Sequence, residues 1–79
     1  LKIEIMAEKT LGEKRVKIDF NTTNDSLVDN IKKRCAELID LFEEMRGDDC
    51  SDEKARVISK AQDDVEQASM WGVKGNFTE

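Results

Sequence analysis

The sequence contains no histidine, no proline and no tyrosine, and only two cysteines, four glycines and one tryptophan. Without histidine there is no imidazole acid–base catalysis, no Ser–His or Cys–His dyad and no ordinary zinc site. Cys35 and Cys50 are too few for a disulfide scaffold or a zinc cage. They are expected to be reduced thiols in a cytoplasm. No apolar run approaches the roughly 18 residues of a membrane span and no signal peptide is visible, so no membrane partner is expected. The numbering starts at Leu1 rather than Met, which leaves room for an omitted initiator or short leader. Positive charge is also scarce. Thirteen Lys and Arg face eighteen Asp and Glu, and a net charge of −5 argues against a DNA binder that works by phosphate neutralisation.

What is present fits one small domain, residues 1–79, in which charged and apolar residues are nearly balanced at 39% and 38%. The periodic segments are too apolar for a disordered chain, yet they supply little core for a lone monomer. Leu1, Ile3, Ile5 and Ala7 alternate with Lys2, Glu4, Met6 and Glu8, and Val16, Ile18 and Phe20 alternate with Arg15, Lys17 and Asp19. A tight turn at Leu11-Gly12 pairs Ile5 with Ile18, Ile3 with Phe20 and Ala7 with Val16 on one face. The pattern predicts an antiparallel β-hairpin over residues 1–20.

A polar connector, Asn21 to Ser26, leads into Leu27, Ile31, Cys35, Leu38, Phe42 and Met45 at helical spacing. Helix one is predicted over 26–46, ended by Gly47. Ser51 with Asp52 and Glu53 then starts helix two, predicted over 52–74, whose stripe of Ile58, Ala61, Val65, Ala68 and Gly72 is small. The expected fold is α+β, a β-hairpin followed by a two-helix antiparallel hairpin, assembling as a homo-oligomer.

Several residues invite chemistry. Met70, Trp71 and Val73 make the end of helix two apolar on more than one side. Lys32 or Arg34, brought near Arg56 or Lys74 of another subunit, would form a phosphate pocket, Arg binding in a fork and Lys as a point charge. Trp71 and Phe77 each offer a face on which a base can stack. The acidic turn of Asp48, Asp49, Asp52 and Glu53 lacks the spacing of a calcium loop, so neither metal nor cofactor is expected. Asp63-Asp64 has no cleft to make it an acid–base pair, and no enzyme is read.

The second half, from about Leu27 to Phe77, resembles the helical hairpin of phage proteins that disarm bacterial cyclic-nucleotide signalling, the anti-CBASS and Thoeris anti-defence sponges. The residues that carry the resemblance are Asn30-Ile31-Lys32 and Glu37-Leu38-Ile39 on helix one. On helix two they are Arg56, Ile58, Ala61 and the run from Glu66 to Gly75, with Met70-Trp71-Gly72-Val73-Lys74 the most specific part. The strands expected before the helices are similar to the Thoeris anti-defence branch. The resemblance implies a homo-oligomer built from dimers, commonly a hexamer, that encloses cyclic oligonucleotides or cyclic ADP-ribose signals between subunits without degrading them. It implies a phosphate contact at Lys32 and pocket positions at or near Arg56, Trp71 and Lys74. Asp63 departs from the small hydroxyl residue expected there, and its acid would repel a phosphate. The competing expectation is a small homo-oligomeric adaptor acting only through protein–protein contacts.

Overall fold

The computed structural model describes residues 8–19 and 26–79. Every element among them is helical: α1 (Leu11–Arg15), α2 (Ser26–Arg46) and α3 (Asp52–Asn76). The predicted β-hairpin is therefore corrected. Residues 1–7 and Phe20 of that hairpin, and Asn21–Asp25 of the connector, lie outside the described residues. Where the tight turn and second strand were expected, the chain makes α1 and then a turn over residues 16–19.

The reason is a capping box that competes with strand pairing. The Thr10 hydroxyl accepts from the Glu13 N–H at 3.1 Å, and the Glu13 carboxylate accepts from the Thr10 N–H at 3.0 Å. Gly12 then serves close approach rather than a hairpin turn. A methyl group on it would sit 2.7 Å from the Ala36 carbonyl carbon. Its N–H donates to Asp40 Oδ1 at 2.7 Å, so α1 lies directly on α2. Val16 and Ile18 still reach the core, but from the end of a helix, packing with Ala36 and Ile39.

Helices α2 and α3 form the antiparallel hairpin. Gly47, at a φ of 63°, ends the first, and Ser51 caps the second by accepting from the Lys54 N–H at 3.1 Å. The buried line of α2 is Val28, Lys32, Ala36 and Ile39, one position around from the predicted stripe, because α1 and α3 both press on this helix. Leu27, Leu38 and Met45 of the predicted stripe remain exposed. On α3 the buried positions are Ile58, Gln62 and Ser69, whereas Ala68 is exposed. Gly72 keeps the close approach its size allows, facing Ile31 across the interface. At the loop end a polar clasp fixes the register. Arg46 donates to Glu43 at 3.2 Å and to Gln62 Oε1 at 2.9 Å, and Gln62 donates to the Ile39 carbonyl at 3.2 Å. Cys35 and Cys50 are free thiols.

Candidate functional site

The end of α1 and the C-terminal half of α3 meet α2 near Lys32. The exit from α1 is a Schellman turn: the Ile18 N–H donates to the Glu13 carbonyl at 3.0 Å and the Lys17 N–H to that of Lys14 at 3.2 Å. Its left-handed position is usually glycine, but here it is Lys17, at a φ of 58°. Lys32 is 6% exposed, and its ammonium donates to the Lys17 carbonyl oxygen at 3.0 Å. The strained turn and the buried cation thus hold each other. With Val16, Ser69, Met70 and Val73, the two lysines line a cleft of about 250 Å³.

Met70 forms the ridge between this cleft and a second groove of about 410 Å³, lined by Gln67, Met70, Trp71 and Lys74. Their spacings of three and four residues set them on one outward face of α3. Trp71 is 66% exposed, and the Lys74 ammonium lies 5.1 Å from its ring centroid in a cation–π contact. An exposed indole beside a cation, next to a cleft holding two lysines, matches the parts of a nucleotide: base faces and phosphate charge.

Electrostatics around the groove are set by Arg15. Its guanidinium reaches Glu66 at 2.6 Å and Asp63 at 2.7 Å, bridging α1 to α3. Burial alone would lower the pKa of Arg15. The hydrogen bonds it donates to Glu66 and Asp63 outweigh that and raise it. Asp63, the acid expected to repel phosphate, is therefore charge-paired within the chain.

Of the residues singled out in the sequence, the structure brings together Lys32, Trp71 and Lys74 around Met70. Phe77 caps the end of α3 about one turn past Lys74 and is exposed. Arg34 is exposed on another side of α2 and pairs with Glu37 at 3.4 Å. Arg56 pairs with Glu53 at 2.7 Å and stands fifteen residues before Trp71, about 22 Å along the helix. Neither arginine reaches the cleft within one chain. Lys17 and Ser69 line the cleft and were not anticipated. A lysine in the left-handed position of a helix exit leaves no signal in sequence, because glycine is the residue that marks such an exit. Among the described residues no group of His, Cys, Asp or Glu could hold a metal ion, and no helix is long and apolar enough to cross a membrane.

Comparison with known families matches residues 13–77 to the Acb2/Tad1 hairpin domain. The chain belongs to the Acb2/Tad1 family. Members of this family are anti-CBASS and anti-Thoeris sponges, which sequester cyclic nucleotides by binding rather than by catalysis. The match takes in Glu13 and the rest of α1 after it, all of α2 and α3, and so both the lysine cleft and the Trp71 groove. No curated protein and no solved structure gives a significant match.

Proposed function

We propose that this chain is an anti-defence sponge that captures a cyclic nucleotide immune signal, a cyclic ADP-ribose isomer or a cyclic oligonucleotide, and withholds it intact from its effector. The observation that carries the reading is the juxtaposition, across Met70, of the Lys17–Lys32 cleft and the Trp71–Lys74 groove in an Acb2/Tad1 chain. The lysines offer point charges to phosphate, and the indole offers a stacking face worth about 1–3 kcal/mol per base. Arg15 keeps the nearby Asp63 from repelling the anion. Tight capture demands burial of the ligand on several sides, which a shallow surface on one chain does not supply. The site is therefore completed between copies of a homo-oligomer, and Arg56 joins it only across a subunit boundary. The setting is the cytoplasm of the host cell, where such signals are made.

Isothermal titration against a panel of cyclic oligonucleotides and cyclic ADP-ribose isomers tests the proposal. One member of the panel binds and is recovered chemically unchanged. Absence of binding across the panel, or recovery of hydrolysed product, refutes it. A purely adaptor role draws support from the nine large apolar side chains left exposed among the described residues, Leu38, Leu41, Met45 and Trp71 among them. Lys32→Ala separates the two readings. A sponge loses about 1.5–3 kcal/mol of ligand affinity while staying assembled, whereas an adaptor is indifferent to the change.

A further inference from the structure

Ser69 is 2% exposed and stands one turn before Gly72, on the face of α3 where Gly72 meets Ile31. Close approach of two helices calls for a small side chain there, and alanine or glycine meets that need without a hydroxyl. A serine inside a helix can return its hydroxyl to the carbonyl one turn back, here that of Val65. Ser69 makes no such bond, and its Oγ has no hydrogen-bond partner among the described residues. The other hydroxyls differ: Thr10 and Ser51 cap helices, Ser59 accepts from Arg46 at 3.3 Å, and Thr78 donates to the Lys74 carbonyl at 2.8 Å. Among the described residues every fully enclosed side-chain nitrogen or oxygen has a partner. The Ser69 Oγ is therefore the atom through which this buried residue reaches the cleft it lines with Lys17 and Lys32. A buried hydroxyl with no partner is a cost that packing does not explain.

The lining of the cleft selects the group that would meet this hydroxyl. Lys17 and Lys32 supply positive charge, Val16, Met70 and Val73 supply apolar walls, and no carboxylate is among the residues that line it. Two neighbouring clefts that border α1 are acidic or mixed. One is lined by Glu13, Asp29, Glu37 and Asp40 with Lys33, the other by Glu13 and Asp19 with lysines. In a chain of net charge −5, acids thus stay out of the cleft onto which the unpartnered hydroxyl opens. We propose that Ser69 is a specificity-determining contact of this cleft, its hydroxyl donating to an oxygen of a phosphate group drawn in by Lys17 and Lys32. The ammonium groups attract the phosphate as point charges, and the hydroxyl adds a directional bond that fixes its orientation. The inference rests on the sponge reading for the molecule to which the phosphate belongs, and on the cleft alone for the contact.

Inorganic phosphate is the probe, titrated into the isotope-labelled full chain at constant ionic strength with chloride as the reference anion, and followed by amide resonances. In wild type the shifts saturate and centre on Ser69, Lys17 and Lys32. Ser69→Ala weakens phosphate binding about tenfold, while its melting temperature is unchanged or raised, because alanine gives up no hydrogen bond and favours helix more than serine does. Ser69→Cys, close in shape but a weak donor, binds phosphate as poorly as Ser69→Ala. Shifts that fail to saturate or that centre elsewhere, or undiminished binding in Ser69→Ala, overturn the proposal. So does a fall in the melting temperature of Ser69→Ala, which assigns the hydroxyl to packing. The wild-type shifts decide even where a variant folds poorly. Phosphate that saturates at Ser69 in a chain that binds no cyclic nucleotide keeps this contact and removes the sponge. A cyclic nucleotide bound equally well by wild type and Ser69→Ala keeps the sponge and removes the contact.

Discussion

Lys17 concentrates the chemistry of the candidate site in one residue. Its left-handed backbone costs about 1–2 kcal/mol for a residue with a side chain, a cost found where surroundings or function hold the conformation in place. Here the Lys32 ammonium holds its carbonyl while its side chain lines the cleft. Lys17→Gly should keep stability within about 0.5 kcal/mol, because backbone relief offsets the added freedom of glycine. It should weaken ligand binding about tenfold, or 1.4 kcal/mol. Chemical denaturation and titration check the two halves, and unchanged affinity would remove Lys17 from the site. A second residue reports on pH. The hydrogen bond from Gln62, and then that from Arg46, hold the Glu43 carboxyl below the usual range. The folded chain therefore binds this proton less readily than the unfolded one. The stability Glu43 contributes is complete above the unfolded value near 4.3 and is lost as pH falls through the lower folded value. Thermal melts of wild type and Glu43→Gln should therefore converge on acidification. A gap between them that does not change with pH contradicts this.

Among the elements, α1 depends most on a single residue. Gly12→Ala places a methyl group against the Ala36 backbone, which cannot yield as a side chain would, and should cost about 1–3 kcal/mol. Urea denaturation measures this, and a variant as stable as wild type would show that α1 does not rest on α2. The same element shows where the sequence could be read and where it misled. The long helices were legible because their period, the Gly47 stop and the Ser51 cap agree with one another. Val16 and Ile18 alternate as a strand would, but alternation over two residues is equally well met by the hooked end of a helix. The Thr10–Glu13 box decided between them. The faces of the long helices were harder to place. Predicted stripes followed hydrophobicity, whereas burial followed neighbours, so Lys32, Gln62 and Ser69 went inside and Leu38 stayed out. Trp71 and Lys74 were legible as candidate site residues because they stand on a helix end with apolar residues on several sides. Lys17 was not, since its role depends on a backbone conformation that its side chain does not signal.

For the whole molecule, the proposed capture requires few cations to serve an anion inside an acidic chain of net charge −5. The arrangement is workable because the acids nearest the groove are occupied. Arg15 takes up Asp63 and Glu66, while Lys17, Lys32 and Lys74 flank Met70. Native mass spectrometry of the full chain, purified from cells producing cyclic nucleotide signals, probes capture and assembly at once. The expected spectrum is a multiple of the 9.0 kDa chain carrying the intact cyclic nucleotide, lost in Lys32→Ala while the multiple persists. A bare chain from such cells, or one carrying only linear product, would contradict capture without chemistry.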